Sequence, residues 1–305
     1  MMKKTYILQS GRAVPSDTDE GSIVVFLDPD TEEKRYLVDE LKLDEHTLTS
    51  ALDPDELPRL EFEPQHIAMI LKRPRNYSGS DEYDFNVNSI GMFLFKERLI
   101  IVVKETDPFV GDRPITGAQT AQDMALRLTY RTIFHFLEHL KVIRMISDEL
   151  EDKINASMQN RYLLNLFSLG KSLVYYLNAI HTNGVLIAKL RNNAARIGLG
   201  VEQTELLEDI GVENDQCYKL AEIYSNVLSS MMDARVSIVS NNLNVLMKSL
   251  TLITISIMLP TLVVSAFSMN VDLPLPPGPV RFWIIMGMAA ASAAAVLLVW
   301  KKKNL

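Results

Sequence analysis

Residues 244–270 read NVLMKSLTLITISIMLPTLVVSAFSMN and carry no charged side chain from residue 249 onward. Within this stretch, residues 250–267 form an apolar run. At 1.5 Å of rise per residue, a helix of that length is long enough to cross a hydrocarbon core of about 30 Å. The stretch therefore predicts a membrane-spanning helix.

One side of this predicted helix carries hydroxyl, amide, thioether and leucine side chains at steps of three and four, which places them on a single helical face. These residues are Asn244, Met247, Leu250, Thr254, Met258, Thr261 and Ser265, with Asn270 at the end. Such a face has two interpretations. It is either a helix–helix contact, where small hydroxyls allow close approach, or the wall of a pore formed by several copies of the chain.

The residues after the predicted span favour the pore wall over the helix–helix contact. Ser268-Met269-Asn270 is followed by a short loop, a second apolar run at 282–300 and three terminal lysines. In this order of features the chain resembles the CorA family of magnesium transporters, two-span proteins with a Gly-Met-Asn signature between their spans. Ser268 stands here where the family has glycine, so the ion preference stays open.

The resemblance implies an α+β architecture assembled as a funnel-shaped homopentamer. An N-terminal cytoplasmic α/β domain is followed by long helices, by a continuous stalk helix that enters the membrane, and by a second transmembrane helix. The expected boundaries are 1–115 for the α/β domain, 116–200 for helices packing on the stalk, 201–267 for the stalk and first span, 268–281 for the extracytoplasmic loop, 282–300 for the second span, and 301–305 for a basic tail.

The resemblance also assigns roles to particular residues. Asn270, presented by Ser268 and Met269, matches the outer selectivity element of the family. Asp233 matches an acidic ring below the membrane. Asp209 matches the helix carboxylate of a regulatory divalent-ion site. Asp53 is assigned, less specifically, as the partner of Asp209 in that site. For Asp53, an ordinary solvated surface position is an equal alternative.

The chemistry of the predicted pore face fits a hydrated cation. Mg²⁺ gives up its water reluctantly, and rings of neutral amide oxygens from Asn244 and Asn270 would meet the ion without stripping its water. Met247, Leu250 and Met258 would form apolar constrictions that gate by dewetting, although methionines at this spacing are more often packing residues.

Charge is unevenly distributed along the chain. The net charge is −7, and residues from 234 onward contribute six Lys or Arg against Asp272 alone, which leaves −12 on the first 233 residues. An acidic soluble portion argues against nucleic acid and favours cations as ligands. The single cysteine, Cys217, permits no internal disulfide, and no signal-peptide pattern opens the chain.

Lysines at the C-terminus, and their absence from the loop between the spans, predict cytoplasmic termini in a multi-pass protein of the inner membrane. The partners expected are divalent metal ions, membrane lipid and further copies of the chain.

The N-terminal part alternates short β-like runs with turn signals. The predicted strands are 6–8, 22–27, 59–62, 66–71, 92–95 and 99–103, and a helix is predicted at 32–43 with Asp30 and Thr31 as caps. No proline occurs between Pro114 and Pro260, which predicts long helices. Breaks are expected near residues 181–184 and 198–200.

The predicted stalk carries a second pattern, at steps of three and four, that suits bundling with other copies. Its residues are Cys217, Leu220, Tyr224, Val227, Met231, Ala234 and Ile238. A kinked pair of helices, broken at Gly211, is the alternative to one continuous stalk.

One motif points elsewhere. Residues 135–139, HFLEH, match the H-x-x-E-H pattern of a zinc peptidase, but a third ligand and a supporting second motif are missing from the sequence. Residues 198–200 lack the context of a phosphate-binding loop. We therefore expect no enzyme activity.

Three functional hypotheses remain. The first is passive, potential-driven uptake of Mg²⁺, with Co²⁺ as a further substrate and intracellular divalent ions as regulators. The second keeps the architecture but transports zinc, nickel or cobalt. The third is a membrane-anchored cytoplasmic scaffold or sensor that transports nothing.

Overall fold

The structure is a computed structural model that describes residues 3–16, 21–77, 83–110, 115–156, 160–269, 276 and 278–303. The chain forms two compact units, residues 1–232 and residues 233–305, and the boundary falls within a single long helix.

A seven-stranded sheet forms the centre of the first unit. Its strands are β1 Lys3–Gln9, β2 Arg12–Ser16, β3 Ile23–Leu27, β4 Arg59–Phe62, β5 Ile67–Pro74, β6 Val87–Leu94 and β7 Leu99–Val103. Their order across the sheet is β2-β1-β3-β7-β6-β5-β4, and only the β3–β7 pair is parallel. The parallel pair exists because helices α1 Thr31–Asp39 and α2 Glu45–Leu52, together with strands β4 to β6, separate β3 from β7 in the chain.

Both faces of the central strands are buried, which explains their nearly continuous apolar sequences. Phe26 and Val102 pack with α1 and α2 on one face. Val25 and Ile101, one position along each strand, belong to the large core on the other face. Asp30 begins α1 as predicted, because its side chain accepts from the backbone of Glu33 while the Glu33 carboxylate accepts from Asp30 N–H.

Long helices cover this other face of the sheet, where α3 Ala121–Ala156 and α4 Asn160–Asn192 contact β5 and β6. The chain continues through the short α5 Ala194–Ile197 into α6 Val201–Phe267, which is followed by α7 Pro279–Lys303. The predicted architecture of an α/β domain, long helices and two apolar C-terminal helices is therefore confirmed. At 67 residues, α6 is about 100 Å long, and Gly211 does not interrupt it.

The break predicted near residues 181–184 is wrong, because α4 runs through it. Asn183 is fully buried and bonds the backbone of Lys72 in β5, accepting from its N–H at 2.9 Å and donating to its carbonyl at 2.8 Å. A Cβ on Gly184 would lie 2.8 Å from Asn214 Nδ2. These two residues therefore serve helix packing rather than helix termination. The break at Gly198 is confirmed by its left-handed φ of 81°.

The stalk pattern predicted for contacts between copies divides in two. Cys217 is completely buried within its own chain, and Tyr224 and Met231 pack against the same core. Leu220 and Val227 are exposed. The prediction was therefore wrong for Cys217. Steps of three and four span a stripe wide enough for one edge to pack on the chain's own helices.

Candidate ion-conduction site

Two helices of the described chain, α6 and α7, are long and apolar enough to cross a membrane. The most apolar window of α6 has no buried residue within the chain. A soluble protein does not leave so much apolar surface in water. Lipid or other copies of the chain must cover these helices.

The predicted pore face lies opposite the covered side of α6. Six residues of the spanning part are half-buried, namely Leu252, Ser256, Leu259, Pro260, Val263 and Phe267. At 3.6 residues per turn, the face that carries Thr254, Met258 and Thr261 is roughly 180° around the helix from them. All seven described residues of that face, from Asn244 to Ser265, are exposed.

Exposure alone does not separate this face from its neighbours, since Leu246, Ile253 and Ile257 are exposed as well. The chemistry of the side chains does separate them. The flank that carries Leu246, Ile253 and Ile257 is aliphatic, as expected for contact with lipid or a second helix. The predicted pore face carries hydroxyls, thioethers and an amide as well as Leu250.

The threonine hydroxyls of the face are arranged to present oxygen outward. Thr254 Oγ1 donates to the Leu250 carbonyl at 2.8 Å, and Thr261 Oγ1 donates to the Ile257 carbonyl at 2.7 Å. Each hydroxyl has thereby used its only proton, and its lone pairs remain as acceptors. Oxygen acceptors favour cations over anions.

The end of α6 explains how serine fits in place of the signature glycine. Ser268 N–H and Oγ both donate to the Ser265 carbonyl, at 3.2 and 2.8 Å. Ser268 is not among the described non-glycine residues with positive φ. A backbone that needs no left-handed conformation needs no glycine. Met269 is exposed, and Asn270 lies outside the described residues.

The three predicted regulatory carboxylates are all exposed. Asp53 follows the last residue of α2, whereas Asp209 and Asp233 lie on α6. Across the described residues, no three His, Cys, Asp or Glu side chains form a group that could hold a metal ion.

The sequence pattern described as CorA-like Mg²⁺ transporter protein matches residues 20–302. The chain belongs to this family. It is also 24% identical to the cobalt/magnesium transport protein CorA of Methanocaldococcus jannaschii over 287 residues, which cover 91% of this chain and 89% of that one.

Solved structures share the fold. The complete structure of the CorA magnesium transporter from Methanocaldococcus jannaschii matches with a TM-score of 0.80 at 21% identity, covering 98% of this chain and 96% of that one. The full-length CmaX protein matches with a TM-score of 0.70 at 15% identity, covering 100% and 98%. The CorA fold therefore extends over both units.

Sequence reasoning missed Lys72, a lysine that packs next to the acidic segment 53–56 of this CorA-like chain. Lys72 is almost fully buried, and its ammonium donates to the Pro54 carbonyl and to Ser89 Oγ, which in turn donates to the Asp53 carbonyl at 2.6 Å. Burial lowers the pKa of Lys72 more than nearby Asp53 raises it. A lysine inside the apolar strand IAMILKRP was the available signal.

The helix carboxylate Asp209 lies beside α3. The pKa of Tyr130 is raised mainly by burial and further by the charges of Glu213 and Asp209. This part of the α6 surface is therefore acidic, as a site for a hard cation requires.

Within the H-x-x-E-H motif, Phe136 and His139 are buried among aromatic rings, whereas His135 and Glu138 line a cleft beside α3. Tyr176 Oη lies 2.7 Å from His139 Nδ1, and the His135 and His139 rings are 4.4 Å apart. Burial lowers the pKa of His139 to about 4, and burial with neighbouring positive groups lowers that of His135 to about 3. The two histidines are therefore packing residues. Tyr176 occupies Nδ1 of His139, one of the ring nitrogens that a metal would need.

Proposed function

We propose that this CorA-like chain is a passive channel for divalent cations, chiefly Mg²⁺, with Co²⁺ as a further substrate. Several copies, five by family resemblance, would surround a pore lined by the exposed polar face of α6. The observation that carries the proposal is that face, because oxygen acceptors and flexible thioethers recur along it on the side opposite the covered stripe. A mere anchor has no use for it.

The membrane potential is a sufficient driving force. Moving one charge across 100 mV releases about 2.3 kcal/mol, so a divalent ion entering an inside-negative cell gains about 4.6 kcal/mol. No step of ATP hydrolysis is needed.

Selection and gating would use different parts of the chain. Asn270, held by Ser268 and Met269, would meet the hydrated ion at the outer mouth, and Asn244 would form a second amide ring at the other end. Between them, Met247, Leu250 and Met258 would close the path by excluding water. In this arrangement the lysine tail and both termini are cytoplasmic, and the chain sits in the inner membrane.

Intracellular divalent ions would act as regulators. They would bridge Asp209 of one copy to Asp53 of the next, with an acidic ring from Asp233 below the membrane. The exposure of all three carboxylates supports this, since each is available to another copy. Loss of the bridging ion at low internal Mg²⁺ would then leave like charges facing one another and favour opening.

The proposal is tested by uptake in cells that lack their own Mg²⁺ carriers. We expect Asn270→Ala to abolish growth rescue and uptake, with Asn242→Ala, on α6 but off the predicted pore face, as the matched control. Normal membrane expression must accompany both variants. Undiminished uptake by Asn270→Ala would refute the assigned selectivity element.

Zinc, nickel or cobalt as the main substrate is the second candidate, favoured by the presence of serine where the family has glycine. Uptake of each labelled metal into vesicles, with Mg²⁺ as competitor, distinguishes the two. Weak competition by Mg²⁺ would establish the alternative, and a complete lack of metal uptake would favour the scaffold hypothesis.

A further inference from the structure

The first unit contains a cleft of about 810 Å³ that the transport proposal does not use. It lies between the end of β5, residues 106–110 and 115–116 after β7, and one face of α3. We call it the arginine cleft, after Arg73, Arg127 and Arg131, which line it. Sites for small molecules commonly have volumes of roughly 300–1,000 Å³.

Helical spacing places the arginines of α3 together. Arg127 and Arg131 are four residues apart and therefore share a face, and Arg73 approaches from β5. Their charges act on one another, since burial and then the charge of Arg131 lower the pKa of Arg73. The cleft is thus a concentration of positive charge in a unit whose sequence is strongly acidic.

Backbone oxygens hold two of the guanidinium groups in place. Arg73 Nη1 donates to the Thr106 carbonyl, and Arg131 Nη1 donates to the Pro108 carbonyl, each at 3.0 Å. A carbonyl oxygen accepts the hydrogen bond of a guanidinium group but does not neutralise its positive charge. Within the described ranges, no carboxylate lies within 4 Å of Arg73, Arg127 or Arg131.

The nearby carboxylates already have partners. Asp107 is buried and accepts from Lys4 Nζ at 3.0 Å and from Tyr6 Oη at 2.6 Å. Glu105 pairs with Arg75 at 3.0 Å. Glu138 also lines the cleft and has an interaction of its own. Among the described residues that line the cleft, three carry guanidinium groups and one, Glu138, carries a carboxylate.

The third arginine, Arg127, has no carboxylate partner among the described residues. Arg127 Nε is buried and has no hydrogen-bond partner. Its guanidinium lies against the backbone of Gly117, where a Cβ would come within 3.0 Å of Nη2. Gly117 also has a φ of 81°, which glycine adopts without strain. A glycine at this position keeps the guanidinium in the cleft wall.

We propose that the arginine cleft binds a small anion bearing phosphate groups. Guanidinium groups present planar pairs of donors that match phosphate oxygens, and among the described residues none of the three forms an ion pair that a bound anion would have to displace. Tyr130 and Phe134 also line the cleft, with ring centroids 5.2 Å apart, and offer apolar contact to an organic portion such as a nucleobase. This site is independent of ion conduction.

The test is titration calorimetry on the purified full chain in detergent, with EDTA present, using ATP and sodium tripolyphosphate as separate probes. Arg131→Gln should weaken binding about tenfold or more, the loss expected for a charged hydrogen bond. Arg144→Gln is the control on the same helix, because Arg144 is exposed away from the cleft and should leave binding within about twofold of wild type.

Arg127→Gln provides a second measurement should Arg131→Gln reduce folding, which thermal unfolding reports. Equal affinity for both probes would support a site for phosphate groups alone, and tighter ATP binding would support a nucleotide. No binding of either probe at millimolar concentration, or equal weakening by Arg144→Gln, would overturn the proposal. Because no transport is measured, either result leaves the channel proposal untouched.

Discussion

The two units of the chain treat apolar side chains in opposite ways. Residues 1–232 bury an extended core on both faces of the sheet. Among the described residues of the second unit, Ala289 is the only buried apolar one, while Leu250, Met258 and Trp283 are largely exposed. The first unit has a buried core of its own, whereas the apolar surface of the second needs lipid or other copies to cover it. The difference predicts that stability resides in the first unit and conduction in the second.

Truncation should have the largest effect. A chain ending at Met232 keeps nearly every buried apolar residue, so we expect a soluble protein that unfolds cooperatively in urea and transports nothing. The full chain, which should need detergent to stay in solution, is the control. Aggregation of the truncated chain, or a gradual non-cooperative transition, would show that the first unit depends on the second.

Acid should destabilise the first unit. The pKa values of His139 and His135, about 4 and 3, lie below the ordinary value near 6.5, so the unfolded chain binds more protons below that pH. Stability is therefore complete above pH 6.5 and falls toward pH 4, by about 1.4 kcal/mol per pH unit for each histidine. Urea midpoints from pH 7 to 4.5 measure it.

The control for the acid experiment is His139→Gln, which removes one titrating group and should flatten the slope. A slope unchanged by His139→Gln would mean that other groups cause the acid sensitivity.

Loss of the Asn183 side chain should have a smaller effect. Asn183→Ala removes both hydrogen bonds to the buried backbone of Lys72, and leaving those groups unpaired should cost about 3 kcal/mol of unfolding free energy. Asn178→Ala on the same helix is exposed and should change it by less than about 0.5 kcal/mol. Similar losses of unfolding free energy in the two variants would contradict the claim that the Asn183 side chain holds α4 to β5.

The sequence predicted best what depends on local pattern. The lack of proline between Pro114 and Pro260 predicted long helices, the apolar run at 250–267 predicted the last part of α6, and Asp30 predicted the start of α1. It failed where a distant contact decides. Asn183 is a residue type that often ends helices, but here its side chain hydrogen-bonds to β5. Cys217 belongs to the predicted stripe for contacts between copies, but it is buried against other parts of its own chain.

Two weaker elements were also missed. β2 contains Pro15 and lies at the edge of the sheet, where the missing N–H is tolerated. α2 is short and rich in threonine, and only its Asp44 cap indicates a helix. For the candidate site, the sequence predicted the chemistry of the pore face. A pore needs several copies, however, and one chain does not specify their arrangement.

The central claim is that the polar face of α6 lines a water-filled path. In a Cys217→Ala background, Ser265→Cys places a thiol on that face, and Val263→Cys places one at similar depth on the covered side. Divalent-ion flux into proteoliposomes is then measured before and after a membrane-impermeant, positively charged thiol reagent. We predict block of Ser265→Cys and unaltered flux for Val263→Cys, whereas equal block, or block of Val263→Cys alone, would contradict the account.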